Sequence, residues 1–202
     1  MCLVGQPPAV PATAAEAAAM ARVALGWLAA ADVASLTTAE QADCLRALER
    51  LRSVHTAAQA RVLAAFRARD GYADDGHGSP RTWLKWRTRI TDGAADGAIG
   101  WMRRLTSHPA VRDALAAAEI SESFARQICA WTDLLPADAR ADADVILLGA
   151  AAGGAGLGDL AGLAEEIRKH TARPDPDGDD GFDDRGLYLG RTLRGAGRCA
   201  GT

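Results

Sequence analysis

Aromatic residues are scarce: Phe, Trp and Tyr make up 5% of a 202-residue chain that is 49% hydrophobic. Alanine supplies most of the apolar count, and alanine favours helix while burying little area per residue. The composition therefore implies many closely packed helices. Trp27, Trp83, Trp86, Trp101 and Trp131 should carry a large share of a thin core. Cysteine is sparse too. Cys2, Cys44, Cys129 and Cys199 form no C-x-x-C pair, so neither a zinc site nor a disulfide framework is indicated. Thiols in a reducing cytoplasm are the default. No uncharged apolar run reaches membrane-spanning length, because Arg22 and Asp32 interrupt the best candidate. The first eleven residues hold no basic side chain and are broken by Pro7-Pro8, which argues against a signal peptide. The expectation is a soluble cytoplasmic protein.

The net charge of −3 conceals an asymmetry. Residues 46–104 hold 12 Lys or Arg against 6 Asp or Glu, whereas residues 133–184 hold 4 against 13. Residues 185–202 carry 4 Arg and no acid. A basic half suits nucleic acid, and it equally suits an acidic half of the same chain.

Helical periodicity organises the sequence. Residues 1–35 read as an arm, disordered to about Pro11, followed by an alanine-rich helix anchored by Trp27 and Leu28. The helical domain proper is expected over 36–170. Thr37 with Glu40 three residues on is a capping-box signature, and the helix it opens runs to about Arg69, roughly 45 Å at 1.5 Å per residue. Leu48, Leu51, His55, Ala58, Val62 and Phe66 form its apolar stripe, predicted to pack within the chain with His55 as a core histidine. Asp70-Gly71 ends it, Gly71 taking the left-handed conformation. Two helix-turn-helix-like pairs follow: 79–87 with 94–105, then 109–118 with a helix from Ser121. His108-Pro109 joins the pairs. A helix over 136–149 is predicted to bury Val145, Ile146, Leu147 and Leu148, and another spans 160–170. Residues 171–184 read as an acidic linker. Residues 185–202 read as a short, incomplete C-terminal extension, with Leu187-Tyr188-Leu189 as one candidate strand. The fold class is all-α, a multi-helix bundle.

Few residues carry chemistry. His55, His77, His108 and His170 are dispersed, and no serine has nucleophile-elbow context. Gly154-Ala155-Gly156-Leu157-Gly158 falls short of the dinucleotide fingerprint and lacks flanking βαβ units. No catalytic residue, metal ligand, cofactor or small-molecule substrate is expected, and no membrane. One candidate interface stands out. If 94–105 is a recognition helix in a DNA major groove, Arg81, Lys85, Arg87 and Arg89 would hold phosphates, with Arg103 and Arg104 near its end. Gly93, Gly97 and Gly100 weaken that helix by about 1 kcal/mol each relative to alanine, and Asp92 and Asp96 would face phosphates. The other partners considered are a protein or a second copy.

A wider pattern joins these elements. Gly71, Ser79, Trp83-Leu84, Ala94, Leu105, His108-Pro109, Ala114-Leu115, Ser121, Ala125 and Ile128 recur in one combination. The strings Ile120 to Arg126, Trp131-Thr132-Asp133, Leu135-Pro136 and Asp159 to Ala164 complete it. Together they resemble the 13E12 repeat family of high-GC actinobacteria, over about residues 45–197 and most densely over 71–166. The resemblance implies a helical domain of unknown function, often followed by a C-terminal HNH endonuclease domain with a His-Asn-His metal site. This sequence has no asparagine and no histidine pair near its end, so no catalytic position carries over and the chain is expected not to be an enzyme. On this resemblance it is a non-catalytic accessory domain, contacting DNA or positioning a nuclease. The alternatives are a protein-interaction module, or a truncated remnant without present activity.

Overall fold

Hydroxyl side chains open the helices. Thr13, Thr37, Ser79 and Thr91 each accept a hydrogen bond from the backbone N–H three residues on, and Ser121 accepts from Phe124. These bonds satisfy amides that a helix start leaves without partners. At Thr37 the box is complete, because the Glu40 carboxylate accepts from the Thr37 N–H at 2.8 Å. That contact, first through the backbone and then the hydroxyl of Thr37, holds the Glu40 carboxyl below its ordinary pKa.

The computed structural model describes residues 10–171 and the backbone of Tyr188–Arg191 and Gly197–Ala200. Among these residues the chain is an all-α, multi-helix bundle of eight α-helices. They are α1 (Ala14–Ala30), α2 (Thr38–Ala68), α3 (Pro80–Thr88), α4 (Asp92–Ser107), α5 (Pro109–Ala116), α6 (Glu122–Thr132), α7 (Ala137–Ala152) and α8 (Leu157–Thr171). One antiparallel ladder joins β1 (Tyr188–Arg191) to β2 (Gly197–Ala200), with Tyr188 opposite Ala200 and Arg191 opposite Gly197. A lone strand there would have had no partner, and β2 supplies one. The expected arm before Val10 and the acidic linker after Thr171 lie outside the described residues.

Two compact units divide the chain inside α6, at Ala125 and Arg126. In the first, α2 is the spine against which α3, α4 and α5 pack. Its buried face is made of Ser53, Thr56, Ala57, Ala60 and Leu63. Small side chains let the facing helices come close, and Leu63 meets Leu84, Ala95, Ala98, Ile99 and Met102. The Phe66 ring is 4.7 Å from the Trp83 ring, centroid to centroid, and closes the end of this cluster. His108 is fully buried and serves as the C-terminal cap of α4 and the first flank of α5, with Pro109 starting α5. In the second unit α7 and α8 pair, burying Ala143, Asp144, Leu147, Leu160 and Ala164.

Several expectations are corrected. The predicted stripe of α2 is not its buried face: Leu48, Leu51 and Val62 are 37%, 48% and 66% exposed, and His55 and Ala58 are exposed as well. Close helix approach selected the small-residue face instead. Trp27 and Trp86 lie on the surface at 72% and 65% exposed, while Trp101 is buried and Trp83 half-buried. In α7 only Leu147 of the four predicted aliphatics is fully buried, and Val145 and Ile146 face solvent. Helix α4 begins at Asp92, earlier than expected, because Thr91 caps it. The apolar run before the 153–158 glycines is helical, as predicted, so the glycines do not follow a strand as a dinucleotide-binding turn would.

Gly71 also has a different reason from the one predicted. Asp70 takes the left-handed conformation (φ 50°) that ends α2. At Gly71 an added Cβ would lie 2.6 Å from the Phe66 ring, which is held between Tyr72 and Trp83. Gly71→Ala should therefore lower stability by about 1–3 kcal/mol. By contrast, a Cβ at Gly97 in α4 meets nothing within 4 Å, and Gly97→Ala should raise stability by about 0.5–1 kcal/mol. Urea unfolding of both variants checks the opposite signs.

Candidate nucleic-acid interface

Helices α3 and α4 are joined by a three-residue turn, with Arg89 in the left-handed conformation (φ 55°) at its start. Leu84 is the buried anchor of α3, and Ala95, Ala98, Ile99, Trp101, Met102 and Leu105 are the buried face of α4. The outer face of α4 therefore carries Asp92, Asp96, Gly97 and Arg103.

The turn brings the basic residues of α3 against these aspartates. Arg81 is paired with Asp96 through two contacts, the Nη2–Oδ2 distance being 3.0 Å, and reaches Asp92 at 3.2 Å. The Lys85 ammonium donates to Asp92 Oδ2 at 3.0 Å. Asp75, in the loop before α3, accepts from Trp83 Nε1 at 2.7 Å and pairs with Arg87 at 3.2 Å. These partners move both α4 carboxyls below the ordinary carboxylate range. For Asp92 the hydrogen bond from Lys85 is the main cause, and for Asp96 the hydrogen bond from Arg81. The Arg81 guanidinium is correspondingly harder to deprotonate, chiefly through its bond to Asp96.

Of the six predicted phosphate contacts, Arg81, Lys85 and Arg87 thus already hold carboxylates. The Arg104 guanidinium lies 5.2 Å over the Trp101 ring, a cation–π contact, and its buried Nε has no hydrogen-bond partner among the described residues. Arg89 and Arg103 are exposed and form no ion pair among the described residues. They flank opposite ends of α4, and from Asp92 to Arg103 the helix axis advances about 16 Å. The structure does not bring the six cations together as one open patch.

Three polar contacts escaped sequence reasoning. Glu122, the first residue of α6, accepts from Trp101 Nε1 at 3.0 Å and from the Thr56 hydroxyl at 3.2 Å, tying α2, α4 and α6 together. In the second unit the Thr132 hydroxyl donates to Asp144 Oδ1 at 2.7 Å, both side chains being fully buried. No local signal marks any of the three, because the partners are 12 to 66 positions apart. Among the described residues no group of three or more His, Cys, Asp or Glu could hold a metal ion, and no helix is long and apolar enough to cross a membrane.

The depressed carboxyls give the α3–α4 pair a definite pH dependence. A carboxyl whose pKa is lower folded than unfolded contributes stability above its unfolded pKa, and this is lost as pH falls through the folded value. Thermal stability should therefore fall below about pH 4, the unfolded range for Asp. Asp92→Asn with Asp96→Asn should flatten that acid limb, as scanning calorimetry from pH 7 to pH 2 would show; an unchanged limb would mean the pairs do not form in solution. No protein-family model matches this chain, and no curated protein or solved structure matches it either.

Proposed function

We propose that the chain is a non-catalytic helical accessory domain of the 13E12 type, which works by holding another macromolecule, in the first place a protein. The observation that carries this reading is the surface of α1. That helix is apolar on nearly every side, a pattern that globular proteins normally bury, yet none of its side chains is buried. Leu25, Leu28 and Ala29 line a groove against Leu45 and Leu48 of α2. Met20, Val23 and Trp27, spaced three and four apart, run along another side of the helix at 38%, 62% and 72% exposed. An exposed tryptophan on an apolar stripe is the residue type that anchors protein interfaces. Association with an HNH nuclease follows from the resemblance over residues 71–166.

A second reading, direct association with duplex DNA, is favoured by the arginines that no carboxylate holds among the described residues. Arg89 and Arg103 are joined in this by Arg50, Arg61 and Arg67 of α2 and by Arg69 just after it, all exposed. The internal ion pairs of Arg81, Lys85 and Arg87 favour the protein-binding reading, since those cations would have to exchange partners to reach phosphate.

Fluorescence anisotropy on duplex DNA across a salt series separates the two. Protein recognition predicts no tight binding at physiological salt. A log–log slope of several times about −0.9, one such step per phosphate contact, that shrinks in Arg89→Ala with Arg103→Ala would transfer the function to DNA. For α1, Val23→Glu with Trp27→Glu should change stability by no more than about 0.5 kcal/mol while reducing the fluorescence of bound anilinonaphthalene sulfonate. A large stability loss would mean that α1 is packed and has no surface to offer.

A further inference from the structure

The groove between α2 and α5 combines apolar walls with cations that no carboxylate holds among the described residues. Val54, Ala57, Ala58, Arg61 and Val62 of α2 line one side, and Arg112, Asp113 and Ala116 of α5 the other. Val54 and Val62 are 37% and 66% exposed, so both offer apolar surface to an incoming group. The groove volume is about 260 Å³. That is below the roughly 300–1,000 Å³ of small-molecule pockets and suits aliphatic side chains presented along a peptide.

Charge along the α2 side of this groove has one sign. Residues 50–69 hold five arginines and no Asp or Glu. Arg61 lines the groove, and Arg50 lies four residues before Val54 on the same side of the helix. Both are exposed and form no ion pair among the described residues. From Arg50 to Arg61 the axis advances about 16 Å. The nearby acids are committed elsewhere: Asp113 is held by Arg112 at 2.9 Å, and Glu49 by Arg52 at 3.6 Å.

We infer that this groove takes an acidic amphipathic helix of a partner protein. Aliphatic side chains at three- and four-residue spacing enter between α2 and α5. Carboxylates along the same helix reach Arg50 and Arg61, each of which can hold a carboxylate through two parallel N–H donors. Apolar burial supplies most of the affinity, because exposed ion pairs contribute little. The arginines select the sign of the partner's charge. Val54 and Val62 favour a peptide over nucleic acid, since a phosphate backbone has nothing to bury on them. A second copy is disfavoured, because its α2 would set the same arginines opposite these. The contact rests on the reading that the chain holds a protein, and it uses different residues from the Met20, Val23 and Trp27 stripe.

The probe is a fluorescein-labelled helical peptide with leucine along one face and glutamate elsewhere, read by anisotropy with the full chain. Micromolar binding is expected, weaker by about tenfold or more in Arg50→Ala with Arg61→Ala and in Val54→Asp with Val62→Asp. All four positions are exposed, so helical circular dichroism should be retained. A peptide with lysine for every glutamate should not bind, and polyglutamate should bind about tenfold more weakly. No binding of the leucine–glutamate peptide, equal binding of polyglutamate, or affinity untouched by both variants would overturn the proposal. Loss of binding in Val23→Glu with Trp27→Glu would move the contact to α1, overturning this site and leaving the protein-holding reading in place. Displacement of the peptide by duplex DNA that depends on Arg50 and Arg61 would assign these arginines to nucleic acid and overturn it as well.

Discussion

Close approach of helices through small side chains is the constraint on which the first unit depends. A chain with few aromatics cannot fill wide interhelical spaces, so its helices must come near enough for alanine to touch. Ala57 and Ala60 on α2 and Ala95 and Ala98 on α4 provide that surface, and Ser53 joins them by turning its hydroxyl back to the Glu49 carbonyl. The bulkier residues Leu63, Leu84, Ile99 and Met102 share one cluster with Ala95 and Ala98, and Phe66 and Trp83 pack against it. Once α2 has committed Ser53, Thr56, Ala57, Ala60 and Leu63 to the core, Leu48, Leu51 and Val62 are left exposed. The exposed stripe is thus a direct result of how the core is built.

The same geometry governs the charges. A turn of three residues folds α3 back on α4, so that positions 81 and 85 come level with 96 and 92. The basic residues of one helix thereby meet the acids of the next. The ion pairs are exposed, and each contributes little to stability by itself. Their larger effect is on availability, because three of the cations that make this half of the sequence basic are already engaged. Basic composition is a statement about totals, and electrostatic recognition depends on which charges remain unpaired on a common surface.

Buried polar pairs fix what the apolar contacts leave loose. Leucine and alanine surfaces tolerate sliding, whereas Glu122 with Trp101 and Thr56, and Thr132 with Asp144, are satisfied in only one register. Loss of the Glu122 carboxylate would remove the acceptor shared by Trp101 and Thr56, whereas the Thr132 hydroxyl would still have the Ile128 carbonyl at 3.1 Å. These contacts link residues distant in sequence and give each unit a specific arrangement.

The sequence by itself determined the local structure. Thr37 with Glu40, Ser79 with Pro80, Thr91, and His108-Pro109 set where helices begin, because capping and proline act within one turn of the chain. Alanine-rich composition determined that the fold is all-α. Tertiary structure alone decided which face of α2 is buried, which tryptophans reach the core, and which aspartate each arginine meets. A helical period shows that two faces exist, but the face that goes inward depends on the shape of the helix packed against it. The candidate interface was legible only as a set of residue types: Arg81, Lys85 and Arg87 are readable as cations in sequence, and only the fold brings Asp96, Asp92 and Asp75 to neutralise them.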